Sequence, residues 1–295
     1  MDRSDLANRM KDYERRNRYY LQKRMPAIVR LDMRSGHSYT KGFARPFDNV
    51  FMESMQETAK YLCENIQNTK IAYTQSDEIT LVLIDYEKLE TDVFFDYRVD
   101  KLCSIIASMA TMAFNKFFRQ NAENFIQDCA TGYETQGLFG EDTPEYKLCR
   151  AYQKAIDKGA MFDARVFNLP KEEVTNCVYW RQLDCSRNSV QMVGQANFSH
   201  KELQNKTCNM IQDMLMEQKR INWNDLPTYQ KRGTCAIKEK YAINENGEEV
   251  EIDYIMDIDE PVEKVTFRTR WIIDKDIPIF INEGRIYIER LINFE

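Results

Sequence analysis

An α+β fold built on a ferredoxin-like antiparallel sheet, with helices on one face, is what the order of elements predicts. Three observations carry it. The apolar run at 26–31 (PAIVRL) reads as a buried strand. Over 49–67, Phe51, Met55, Thr58, Leu62 and Ile66 recur at helical spacing, so that they form one stripe. The segments IAYTQ and ITLVLI are then separated only by Ser76-Asp77-Glu78, which implies a hairpin with the acids at or near its tip. A second helix over 99–118, with Leu102, Ile105, Ile106, Met109 and Ala113 inward, completes the succession strand, helix, hairpin, helix. That is most of a split βαβ unit.

Beyond residue 120 the pattern loosens. Gly132, Gly137, Gly140 and Pro144 mark a loop and an expected boundary, dividing the chain into 1–135 and 136–295, packed together. In the second part VTNCVYWRQLDCSRNSVQMVG begins one expected helix and 206–218 forms another, while VTFRTRWII and IPIFIN read as strands.

The chain has 295 residues, enough to bury a sizeable core. Its 30% charged and 43% hydrophobic content fits a soluble globular protein. No apolar run approaches the ~20 residues that span a bilayer, so no membrane partner is expected. The charged N-terminus lacks a signal peptide's apolar centre, which makes the cytoplasm the expected location. None of the eight cysteines forms a C-x-x-C pair, and reduced thiols are expected. With only His37 and His200 present, a multi-histidine metal site is excluded. Any metal would be held by carboxylates, which favours hard ions such as magnesium.

The net charge of −6 is unevenly spread. Residues 1–24 carry eight bases against four acids, with Tyr13, Tyr19 and Tyr20 among them. Bases interleaved with aromatics suit phosphate neutralisation and base stacking, but on sequence alone an amphipathic helix with a solvated basic face is the favoured reading. The acidic stretch 239–263 would repel RNA and is expected to face solvent.

The chemically informative feature is Asp32, at the end of the first strand, and Asp77-Glu78 on the neighbouring hairpin. Strand alternation puts Arg30 and Asp32 on one face. Adjacent carboxylates in a partly buried site repel unless a cation neutralises them, and two magnesium ions ~4 Å apart would do so. Spacing alone also allows a polar hairpin tip, since acidic turns are common.

RLDMRSGHSYTKGFARPFD followed by IAYTQSDEITLVL resembles the catalytic core of the tRNA-His guanylyltransferase family. MFDARVF, YWRQLDCSRNS, YQKRGT and TRWIIDKDIP match it in order, so the resemblance covers nearly the whole chain. It implies a polymerase-palm-like catalytic domain over 1–135 and a smaller, fingers-like α/β region over 136–295. It also implies growth of RNA in the 3′-to-5′ direction. A 5′-monophosphate end is activated with ATP or GTP, or a 5′-triphosphate is used directly, and the 3′-hydroxyl of an incoming nucleoside triphosphate attacks that end. By this resemblance Asp32 and Asp77 are the ligands of two magnesium ions, helped by the Met33 carbonyl, and Glu78 is a further catalytic ligand or support. The triphosphate is expected along Met33, Arg34, Ser35, Gly36 and His37, a backbone anion nest. Arg30, Arg45, Ser76 and Lys101 are expected near the nucleotide.

Two departures qualify the resemblance. Met33 stands where relatives commonly have Gly. Ser186-Arg187-Asn188-Ser189 replaces the histidine-containing HINN motif that is associated with recognising tRNA-His. The second departure makes the chain similar to the bacterial and archaeal guanylyltransferase-like proteins, which repair truncated tRNA 5′ ends on a template. Arg187, Asn188, Lys231 and Arg232 are the expected RNA contacts. Trp180 and Trp271 are expected in the core or at a subunit contact. The resemblance also implies a homotetramer. Three other readings are a dedicated tRNA-His guanylyltransferase, a non-catalytic RNA-binding protein, and a palm-fold cyclase.

Overall fold

The computed structural model describes residues 4–136, 143–250 and 265–293. Within these, seven strands form one antiparallel sheet. They are β1 (Ala27–Met33), β2 (Thr69–Gln75), β3 (Glu78–Leu83), β4 (Phe162–Asn168), β5 (Thr234–Ile243), β6 (Glu249–Val250) and β7 (Thr266–Asp274). The order is β4-β1-β3-β2-β5-β6, and β7 also pairs with β5. The first four follow from the strand, helix, hairpin, helix, strand succession. β4 and β5 come from beyond residue 135 and flank strands from before it.

The numbered helices are α1 (Asp5–Arg15), α2 (Gly36–Tyr39), α3 (Asn49–Asn65), α4 (Val99–Gln136), α5 (Pro144–Lys158) and α6 (Val174–Asn197). Helix α3 starts where Asp48 caps it, one carboxylate oxygen accepting from Phe51 N at 2.9 Å. Its other oxygen accepts from Ala44 N and from the Tyr152 hydroxyl. The expected stripe Phe51, Met55, Thr58, Leu62 and Ile66 is buried throughout.

Helix α4 runs far past the expected end at 118 and continues through Gly132. Packing explains the excess length: Ala122 is fully buried, and Tyr152 of α5 meets Phe118 and Phe125 at 5.8 and 5.4 Å. Burial of this aromatic seam outweighs the weak helix propensity of one glycine. Pro144 opens α5 at its first turn, where a missing N–H costs nothing. Gly137 and Gly140 lie outside the described residues.

Helices cover both faces of the sheet, not one as expected. Val29 and Leu31 of β1 meet α3, α4 and α5 on one face. Ile28, with Ile71, Tyr73 and Val82, meets Val174 and Val178 of α6 and the closing helix Ile286–Ile292 on the other. Strands buried on both faces read as continuous apolar runs, and IAY and ITLVLI are such runs.

The stretch 277–282 is not a strand. Phe280 N donates to Gln182 Oε1 and Gln182 Nε2 donates to the Pro278 carbonyl, so a buried side chain of α6 satisfies its backbone instead of a sheet neighbour. The expected helix over 206–218 is Cys208–Met214 followed by a wider turn to Lys219. Among the described residues, no helix is long and apolar enough to cross a membrane.

Candidate active site

The site lies at one end of the sheet. β1 ends there with Asp32-Met33, β2 turns into β3 through Ser76-Asp77, and β5 begins after Gly233. In the ladder Asp32 stands opposite Glu78 on one side and Asp163 of β4 on the other. Direct partners share a face, so Asp163, Asp32 and Glu78 form a row of acids across three strands. The next row contains Arg165 opposite Arg30.

Burial raises the Asp32 pKa above the usual carboxylate value, and the charges of Asp77 and Asp163 raise it further. Arg165 and Arg30 pull the other way. Among the described residues, no three His, Cys, Asp or Glu side chains are grouped closely enough to make a metal cage. A cation here would draw on the hard oxygens of Asp32 and Asp77 with backbone help. The mutual repulsion of these acids is the property that a cation would relieve.

Glu78 is differently placed. Its Oε1 accepts from Arg181 Nε at 2.6 Å, and Oε2 lies 3.6 Å from Arg30 Nε. Burial pushes its pKa up while the two guanidiniums hold it back. Arg181 continues to Asp184 at 2.7 Å, and Asp184 is paired with Arg187. Both carboxylate oxygens of Glu78 therefore face cations already. Arg30 is engaged with Glu78 and lies against the Trp180 ring at 5.4 Å.

Beside the acid row opens a cleft of about 640 Å³, between α3 and α6. Gly36, His37, Arg45, Ser76, Asp77 and Asn188 are among its lining residues. Its walls mix phosphate-type groups with the apolar surfaces of Phe43, Phe47, Phe51, Met52 and Met192, a composition that suits a ligand with a charged tail and a flat apolar body. Asp77 is where the cleft meets the acid row, because its Oδ2 packs directly on Gly36 and leaves no space for a Cβ there.

The expected anion nest is narrower than residues 33–37. Met33 N donates to the Asp77 carbonyl at 3.1 Å and Arg34 N to the Met161 carbonyl at 2.8 Å. Ser35 is left-handed (φ 58°) and starts α2, so the remaining candidates are residues 35–37. Lys101 is not brought to the cleft. It starts α4 at the opposite end of the sheet, near the bridge between Tyr20 and Arg98.

The expected RNA contacts lie near one another, since Ser186 donates to the Lys231 carbonyl, but most are engaged within the protein. Arg187 is paired with Asp184, and Lys231 bonds the Asn224 carbonyl. Lys231 and Arg232 end a short helix, Thr228–Arg232. The Arg232 carbonyl accepts from the Tyr73 hydroxyl at 2.7 Å. Trp180 is not a core residue: it is 52% exposed. Trp271 is half-buried against the first core.

Sequence reasoning missed Asp163 and Arg181. Both lie inside segments singled out above, MFDARVF and WRQLDC. The usable signal for Asp163 is its strand spacing from Arg165, which repeats that of Asp32 from Arg30.

An end-of-sheet carboxylate pair beside a cleft that would take a charged, flat ligand is the arrangement of a nucleotide-handling enzyme. The tRNA-His guanylyltransferase family model matches residues 7–170, and the chain belongs to that family as a guanylyltransferase-like nucleotidyltransferase. A bacterial tRNA(His) guanylyltransferase-like protein in complex with ATP is 38% identical, with a TM-score of 0.74 over 98% of this chain and 99% of the other. One in complex with GTP is 36% identical, with a TM-score of 0.70 over 99% and 100%. An uncharacterised protein of Acanthamoeba polyphaga mimivirus is 28% identical over 79% of this chain and 77% of its own length. The tRNA(His) guanylyltransferase of Saccharomyces cerevisiae is 25% identical over 79% and 88%.

Proposed function

We propose that the protein is a template-dependent 3′-to-5′ nucleotidyltransferase that adds nucleotides to the 5′ end of tRNA and so repairs truncated ends. The observation that carries this reading is that Asp77, which lines the cleft, stands close enough to Asp32 for its charge to raise the Asp32 pKa. A nucleoside triphosphate in the cleft would lay its phosphates along residues 35–37 and Arg45, under Asp77. Two magnesium ions held by Asp32, Asp77 and the Met33 carbonyl would neutralise the phosphates, lower the barrier to attack by the 3′-hydroxyl and stabilise the leaving group.

The chain's own residues prepare that site. Arg181 and Arg30 hold Glu78 in the ladder beside Asp32, which makes Glu78 a support for the acid pair. Gly36 lets Asp77 lie against the loop that follows β1. In the activation step the 5′-phosphate attacks the α-phosphorus of ATP or GTP and pyrophosphate leaves. In the transfer step the incoming 3′-hydroxyl attacks the activated end, and the nucleoside monophosphate leaves. Where the end is a 5′-triphosphate, pyrophosphate leaves instead.

Repair is favoured over dedicated guanylyl addition by the state of residues 186–189. Ser186 donates to the Lys231 carbonyl at 2.9 Å, Arg187 is paired with Asp184, and Ser189 accepts from Trp223 Nε1 at 2.9 Å. Three of the four are occupied within the protein, and Asn188 faces the cleft. Watson–Crick pairing to the opposite strand would then select the nucleotide. Assembly as a homotetramer in the cytoplasm belongs to the same reading.

The test combines purified protein, magnesium, labelled nucleotides and tRNAs lacking their first 5′ nucleotide. Template-matched addition that is lost in Asp77→Ala is the expected outcome. Guanosine added to tRNA-His alone would establish the dedicated enzyme. RNA binding without incorporation would overturn the enzymatic reading.

A further inference from the structure

The cleft accounts for one reactant, and the acid row has a second, open side. Asp32 lies between them: Asp77 reaches the cleft, whereas Asp163 and Arg165 sit on edge strand β4 away from it. Two pairs of like charges stand directly opposite each other here, Asp32 with Asp163 and Arg30 with Arg165. Such pairs weaken a sheet, so folding does not explain them. The Arg165 side chain is more than half exposed, its contact being Asp163 at 3.9 Å. Beyond Arg30 lies Trp180, with the Arg30 and Arg181 guanidiniums 5.4 and 4.3 Å from its ring centroid and about half its surface open to solvent. This face thus carries three chemistries: carboxylates, the half-exposed Arg165 guanidinium and the half-exposed Trp180 ring, which two guanidiniums already contact.

We infer that Arg165 and Trp180 form the subsite for the RNA end, Arg165 taking its 5′-phosphate and Trp180 stacking on its terminal base. This rests on the proposed function and adds where the second reactant sits. A nucleobase fits an exposed indole because every base presents a π-face, so stacking serves any end sequence. Arg165 suits a phosphate because its planar fork can bond two oxygens. The arrangement puts the RNA end and the nucleotide on opposite sides of Asp32 and Asp77, as a transfer between them requires.

The test uses full-length protein and a tRNA lacking its first nucleotide and carrying a 5′-triphosphate, which bypasses activation. The same tRNA with an abasic 5′-terminal residue is the comparison. The expected result is quenching of tryptophan fluorescence by the first RNA, weaker quenching by the abasic one, and no quenching in Trp180→Phe beyond that of the other two tryptophans. Trp180→Ala and Arg165→Gln should each raise KM for RNA about tenfold. KM for the incoming nucleotide should stay within twofold, and Trp180→Phe should keep most of the RNA affinity. Normal addition with KM for RNA unchanged in both variants would overturn the subsite alone. A loss of assembly mass on sedimentation in Trp180→Ala, with RNA affinity per assembly unchanged, would make Trp180 a contact with a second copy and overturn it too. Failure of the parent protein to add to any RNA end would remove the proposed function first, and this subsite with it.

Discussion

Asp77 rests on Gly36 with no atom between them: a Cβ on Gly36 would collide with Asp77 Oδ2 and lie 2.9 Å from its Cγ. The contact ties the hairpin tip to the loop after β1, so that one carboxylate serves both the acid row and the cleft. Gly36→Ala should therefore displace Asp77 while leaving the distant core intact. Misplacing a catalytic group by ~1 Å typically loses about a hundredfold in rate. Nucleotidyl transfer should fall by about that factor, and urea unfolding should move by about 1–3 kcal/mol. A Gly36→Ala enzyme of normal rate would show that Asp77 need not occupy this position.

Arg181 is the structural anchor of Glu78. Arg181→Met would leave a buried carboxylate facing only Arg30 at 3.6 Å. Removing one partner of a buried pair typically destabilises by about 3–5 kcal/mol, whereas replacing both is far milder. Urea denaturation should show Arg181→Met as the weaker protein and Glu78→Gln with Arg181→Met as partly restored. If the double variant is weaker than the single one, the two residues are not a coupled pair.

The acid pair makes a prediction about pH. Burial and neighbouring acids raise Asp32, and burial raises Glu78, so the folded protein binds more protons than the unfolded chain between the ordinary carboxylate values and the raised ones. Stability falls with pH wherever the native state holds the extra proton. The contribution of these groups is thus complete below the ordinary Asp value of 3.8 and is lost as pH rises through the raised values. In EDTA, Asp32→Asn should flatten this part of the stability profile. Asp32→Ala and Asp77→Ala should fold as well as the parent or slightly better, because each relieves repulsion. Adding magnesium should raise the parent's melting temperature and leave Asp77→Ala unmoved. Large stability losses in both alanine variants would make the acids structural.

What was legible in the sequence follows from locality. The stripe Phe51 to Ile66 and the hairpin around Ser76-Asp77 are set by periodicity and turn length, and both appear where expected. The pairing of Asp32 with Asp163 across 131 positions is a matter of strand register, which no local pattern encodes. The family resemblance marked WRQLDC, but it did not say that Arg181 would pair with Glu78. The second helical layer was missed because the heavily apolar strands say that both faces are covered and not by what. IPIFIN misled for the opposite reason: an apolar, β-branched run looks the same whether a strand or a side chain satisfies its backbone.

Gln182 supplies that side chain, and the prediction it carries separates folding from chemistry. Its amide bonds both the Pro278 carbonyl, at 2.8 Å, and Phe280 N, at 2.9 Å. Ile277 and Phe280 are then pinned in the second core, under Ile288 and Ile292. Gln182→Leu keeps the bulk and deletes both bonds, leaving a buried N–H and a part-buried carbonyl unpaired. Each such group costs about 1–3 kcal/mol, so a loss of about 2–6 kcal/mol is expected in urea. Gln182 precedes Asp184 on α6 but does not line the cleft. At a temperature where the variant stays folded, kcat and both KM values should remain within about threefold of the parent's. A drop in kcat without loss of stability would mean that the 277–282 segment positions the site through α6, not merely the core beneath it.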